Sequence, residues 1–243
     1  MAAIGAIETI LGVPEGTLHD PITDRRRSEQ TPNWDVPPDW APDAVTELVQ
    51  ALDANGPDEL RERSLHVTVD LNAAGHQYRI TYRLFLEAMT DDARYWPTLV
   101  EADDEAPPGG RPELRVLEGG SVDRIIHHPN GRLSGARIRL DRPLARGAQT
   151  LIEVEHLFPR GYLKAPECEL WQPRSVSELV FWLRFHPTRV PQYAVASTEV
   201  DGVEAEYVPS RPTPHSLLWY LRGFGPGRAG IYWEWDATAP EMS

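Results

Sequence analysis

LHVTVDLNAAGHQYRITYRLFL, residues 65–86, sets the fold class of this chain. Leu65, Val67, Val69 and Leu71 alternate with His66, Thr68 and Asp70. A period of two gives an extended strand one apolar face and one polar face. Ala73-Ala74-Gly75 turns the chain, and Tyr78, Ile80, Tyr82, Leu84 and Leu86 resume the alternation. The stretch predicts a hairpin of two long strands, each burying one face.

The same period recurs towards the C-terminus. Residues 88–112 are acidic and rich in Pro and Gly around Tyr95-Trp96-Pro97, and read as a strand remnant followed by an exposed loop. Short strands are expected at 114–117, 169–172, 190–200, 203–208, 217–221 and 231–235. Residues 122–128 and 133–140 flank Pro129-Asn130-Gly131, a strong hairpin-turn signal. At 151–158, Ile152, Val154, His156 and Phe158 point inward, which leaves Glu153 and Glu155 to water. Leu179, Phe181, Leu183 and Phe185 mark a central strand, and Gly225-Pro226-Gly227 resembles a further hairpin turn. About ten short strands with no helix between them predict a mainly β fold, an antiparallel barrel or, as expected here, an antiparallel sandwich. The halves 60–160 and 165–236 read as two lobes of it.

Upstream the period is helical. Val45, Leu48, Val49 and Leu52 line one side of 42–52, with Pro42 and Asp43 suited to its first turn. Residues 58–63 could add one more turn. Residues 19–41 are a linker punctuated by Pro21, Pro32, Pro37 and Pro38. Ahead of it, Ile4, Ile7, Ile10 and Leu11 give 3–11 a helical stripe that ends at Gly12 and Pro14. The expected organisation is 1–18, then the linker 19–41, then one helix-plus-sandwich domain over 42–236.

A net charge of −13 opposes non-specific association with DNA or anionic lipid. No nucleic acid is expected to bind this chain alone. The single cysteine, Cys168, excludes an internal disulfide and a zinc site built on cysteines. No window is long and apolar enough to cross a bilayer as a helix, and no signal-peptide pattern opens the chain, so a cytoplasmic location is expected.

Motifs for chemistry are sparse. His127 and His128 are adjacent, so on a strand they face opposite ways and cannot share an ion. The other histidines lack chelating spacing. There is no Gly-x-Ser-x-Gly elbow and no phosphate loop. Glu167 and Glu169 flank Cys168 and would raise its pKa, the wrong direction for a nucleophile. No catalytic residue, metal or cofactor is expected. A hydrolase assembled from distant loops would first draw on His156, Glu153 and Asp123.

The aromatic residues of the last third are the unusual feature. Trp171, Trp182, Trp219, Trp233 and Trp235 crowd it with Tyr193, Tyr220 and Tyr232, and both faces of these strands carry large rings. One reading is a core whose second face is covered by helix 42–52 or a partner. The other is a ligand- or partner-binding face built from Trp182, Trp219, Tyr220, Tyr232, Trp233 and Trp235.

Two sequence stretches carry a resemblance. LVFWLRFHP at 179–187 and GIYWEW at 230–235 resemble the C-terminal β-rich region of actinobacterial helix-turn-helix regulators of the Cro/repressor (XRE) class. IGAIETILGVPEGTL at 4–18 is similar to the last helix and exit turn of their DNA-binding domain. The resemblance implies a non-enzymatic regulatory, effector or interaction domain, with 1–18 a remnant of the reader. The recognition helix would lie upstream of residue 3, so none of its base-contacting residues carries over. A small-molecule effector or a protein partner would act on the β domain. The alternative is a cytoplasmic sandwich that binds a carbohydrate or other small ligand.

Overall fold

The computed structural model describes residues 42–53, 59–101, 111–129, 131–160 and 166–235. The expected helix remnant at 1–18, the linker 19–41 and Asn130 lie outside them. The described part is mainly β. One helix, α1 (Pro42–Leu52), precedes thirteen strands. These are β1 (Leu60–Leu71), β2 (Gln77–Ala88), β3 (Ala93–Glu101), β4 (Glu113–Glu118), β5 (Gly120–His127), β6 (Leu133–Leu144) and β7 (Gln149–Leu157). Then follow β8 (Glu167–Gln172), β9 (Val176–Arg184), β10 (Tyr193–Val200), β11 (Val203–Tyr207), β12 (Ser216–Phe224) and β13 (Gly227–Glu234).

The hairpin at 65–86 forms as its alternation requires. Leu65, Val67, Val69, Ile80, Leu84 and Leu86 are all buried. The strand starts earlier than expected, however. Leu60 pairs with Ala88, so the anticipated helical turn at 58–63 gives way to ladder hydrogen bonds from Leu60 onward. Residues 93–101 likewise form a full strand against β6, because Trp96 and Thr98 find a buried face there.

Three sheets result. A six-stranded sheet runs β12-β9-β1-β2-β7-β4, a four-stranded sheet β11-β10-β13-β8, and a three-stranded sheet β3-β6-β5. Every pairing is antiparallel except β1 with β9, which is parallel and in register from Ser64↔Glu178 to Asp70↔Arg184. A parallel neighbour needs a long return path, and the chain between β1 and β9 supplies it as seven further strands. The two halves are therefore not separate lobes, since β9 and β12 complete the sheet begun by β1 and β2. The connection at Gly225-Pro226-Gly227 is not a hairpin either. It carries the chain from β12 in the six-stranded sheet to β13 in the four-stranded one.

One contiguous core joins all three sheets, with Phe181, Leu183, Ile138, Ile152, Leu217 and Trp233 among its buried members. Where the sheets meet, Glu62 of β1 accepts hydrogen bonds from Gln172 Nε2 of β8 (2.9 Å) and Trp96 Nε1 of β3 (3.3 Å). Helix α1 lies on the three-stranded sheet, packing Val45 and Leu48 against Leu133, Leu99 and Ile126. It therefore does not cover the aromatic strands. Bare Gly135 permits this docking, since a Cβ there would sit 2.9 Å from Leu52 Cδ1 and from Leu99 Cδ2.

Candidate binding face on the six-stranded sheet

Residues that point away from the core line up across the strands in rows. One row runs Leu218, Trp182, Thr68, Thr81, Glu155, Arg115, and the next runs Tyr220, Val180, His66, Arg83, Glu153. A third contains Arg184, Asp70 and Arg79.

Asp70 anchors this face. It is buried, and Arg79 Nε donates to its Oδ2 at 2.7 Å. Arg184 Nη2 donates to the same oxygen at 2.7 Å. Hydrogen bonding to Asp70 raises the Arg79 pKa further above its ordinary range. Arg79 also reaches Glu155 at 3.7 Å, and Arg115 lies 3.8 Å from the other oxygen of that carboxylate. Glu155 is thereby buried under two guanidinium groups, a correction to its expected exposure to water. Glu153 does lie on the outer face, bonded by Arg83 through two nitrogens at 2.8 and 2.6 Å. His66 bonds Glu178.

Three rings on this face stand free of the core: Trp182 is 40% exposed, Tyr220 48% and, further along β2, Phe85 36%. The Arg184 guanidinium lies over the Trp182 indole, 5.0 Å from the ring centre, so the ring is backed by a cation that Asp70 holds in place.

The remaining residues of the expected aromatic face divide by strand parity. Trp219 and Trp233 are buried and belong to the core, which corrects their expected role in a surface site. Trp219 stacks on Phe181 at 5.7 Å and meets Tyr207 at 5.5 Å, while Trp233 packs edge-on to Phe185 at 5.7 Å. Both stand on the core-facing side of their strands. Trp235 is half-buried between Phe185 (5.8 Å) and the Arg189 guanidinium (4.8 Å). Tyr232 is half-buried on the outer face of the four-stranded sheet, opposite Glu167.

The residues considered for hydrolysis do not converge. Glu153 and His156 occupy opposite faces of β7, and Asp123 sits on β5, bonded to Arg137 at 2.7 Å. His156 is buried beside Tyr82 and Phe158 with neither ring nitrogen hydrogen-bonded, and burial lowers its pKa to about 4. Burial, followed by Glu169 and Glu167, pushes the Cys168 thiol up to about 12. His127 bonds Ser134 at 2.8 Å and His128 bonds Glu47 at 3.2 Å, so the adjacent pair diverges as strand geometry requires. Among the described residues, no three His, Cys, Asp or Glu side chains are grouped to hold a metal ion. Among them, too, no helix is long and apolar enough to cross a membrane.

The Asp70 network could not be read from sequence. Its members are 9 and 114 residues apart, and only the parallel β1–β9 pairing brings Arg184 beside Asp70. The available signal was an acidic residue in the polar phase of a strongly alternating strand.

No protein-family model matches the chain, and no curated protein matches it in sequence. Among solved structures, a protein from Parabacteroides distasonis provisionally assigned as a protease matches 72% of this chain, with 12% identity and a TM-score of 0.48. A mutant of a two-domain M1 zinc metallopeptidase bound to L-tryptophan matches 73%, with 16% identity and a TM-score of 0.36. The matches span 40% and 43% of those two proteins, so the chain corresponds to less than half of either. At such TM-scores neither likeness bears on the chemistry of this chain.

Proposed function

We propose that this chain is a non-enzymatic effector or interaction module of an XRE-type helix-turn-helix regulator, working in the cytoplasm and meeting its effector at the Trp182–Tyr220 face. The observation that carries the reading is the pairing of two exposed rings with a buried ionic anchor. Exposed aromatics on a scaffold that does not rearrange are what recognition surfaces use, because the rings offer contact area at low entropic cost. The flat Trp182 ring backed by Arg184 also favours a second reading, a small planar or carbohydrate ligand without any regulatory role. The link to a DNA reader rests on the sequence resemblance alone.

The test joins the chain, through its own residues 1–41, to a heterologous helix-turn-helix reader. Operator affinity is then measured against a panel of sugars, nucleosides and amino acids. A compound that shifts operator affinity in the fusion, and no longer does so after Trp182→Ala and Tyr220→Ala, supports the regulator reading. A fusion unresponsive to every compound, or a response that survives both substitutions, overturns it. Ligand binding with no change in operator affinity supports the second reading instead.

A further inference from the structure

The four-stranded sheet presents a second surface of different chemistry. Its outward rows run Glu204, Glu199, Arg228, Trp171, then Glu206, Ser197, Gly230, Glu169, then Val195, Tyr232, Glu167, with Tyr193 opposite Glu234. Six glutamates therefore share one face with a single arginine, Arg228, and that arginine bonds Glu169 at 2.6 Å. Among the described residues, no ion pair reaches Glu204 or Glu206.

This face ends at β11, the edge of its sheet, where every residue is exposed. Among the described residues no backbone hydrogen bond meets the outer side of β11. Its other face is covered only in part, since Tyr207 meets Trp219 there yet stays 41% exposed. Val203 is 68% exposed and Val208, just beyond the strand, 91%. An open edge is a template for another strand, and its side chains decide which strands it accepts. A second copy is disfavoured. Antiparallel addition about Ala205 would set Glu204 opposite the copy's Glu206 twice, and like charges opposite one another destabilise a ladder. Glutamates serving only to keep the edge solvated would not explain the valine, Val203, exposed on its reverse face. A strand with cations on one face and apolar residues on the other satisfies both faces at once.

We propose that β11 is a docking edge for an extended segment of a protein partner in which Lys or Arg alternates with apolar residues, added as a fifth strand. It uses neither Trp182 nor Tyr220, so it stands or falls independently of the effector reading.

The test uses the full chain and a fluorescein-labelled peptide of three Lys-Val repeats, followed by fluorescence anisotropy. Saturable binding is expected, weakening about tenfold or more between low and moderate salt as exposed charge pairs are screened. Binding should fall at least about tenfold in Glu204→Lys/Glu206→Lys, and stay unchanged in Trp182→Ala. The double variant changes only exposed side chains, and circular dichroism checks that it folds. Two peptide isomers N-methylated at alternating positions separate strand addition from bulk attraction, because one of them must lose binding if the backbone pairs. Equal binding of both isomers, equal binding to the double variant, or no saturation overturns the proposal. So does a concentration-dependent dimer of the unliganded chain that Glu204→Lys dissolves, since the edge would then belong to a second copy.

Discussion

His156 shows how one side chain sets a pH limit. Neutral imidazole is buried between Tyr82 and Phe158, and burial takes its pKa from the ordinary 6.5 to about 4. Between those values the unfolded chain binds the extra proton and the folded chain does not. Its contribution is therefore intact above about pH 6.5 and is lost progressively as pH falls towards 4, a swing of roughly 3 kcal/mol. His156→Phe should flatten this dependence, measured as a smaller loss of denaturant midpoint between pH 7 and pH 4.5. Cys168 carries a second prediction at this scale. Its thiol is buried and pushed to about 12, so a thiol reagent at neutral pH should label the native chain very slowly and the denatured chain at one equivalent.

Elements succeed here where local pattern and tertiary environment agree. Helix α1 follows its apolar spacing, and the sheet completes its C-terminal end. Arg124 Nη1 donates to the carbonyl of Ala51 at 3.0 Å and Arg137 Nη1 to that of Asp53 at 2.9 Å, placing cations where the helix dipole is negative. Truncating Leu48, which is 1% exposed, should cost about 2–4 kcal/mol in thermal or denaturant unfolding, with no change in strand content by circular dichroism. Gly225 is the opposite case, a residue whose need is invisible until the sheets are placed. Its φ is +98°, and a Cβ would sit 2.5 Å from the Arg174 carbonyl. Gly225→Ala should destabilise by roughly 2 kcal/mol or more, read as a lowered melting temperature. The dipeptides around it read as a hairpin turn because Gly-Pro-Gly signals a reversal, while the partner of the emerging strand depends on distant residues.

At the scale of the molecule, the β1–β9 ladder joins residues more than a hundred positions apart and makes the described domain one folding unit. A fragment ending at residue 160 would leave the parallel edge of β1 bare, together with the apolar face it shares with β9. Unfolding of the whole chain should show coincident transitions by circular dichroism and tryptophan fluorescence, since Trp96, Trp219 and Trp233 report from three different sheets. Non-coincident transitions would mean that the halves behave as separate lobes after all.

Strand existence, facing and the hairpin at 65–86 follow from sequence, because a period of two allows only one apolar face to be buried. The same rule placed Ile152, Val154, His156 and Phe158 inside, and predicted that His127 and His128 would diverge. It also assigned large rings to both faces of the C-terminal strands, but alternation cannot say which face a second sheet will cover. Only the tertiary structure decided that Trp219 and Trp233 are core while Trp182 and Tyr220 meet water. Only it carried Arg184 to Asp70 and left β11 as an open edge. Period is a property of neighbouring residues, whereas sheet order, burial depth and ion pairing depend on which distant strands meet.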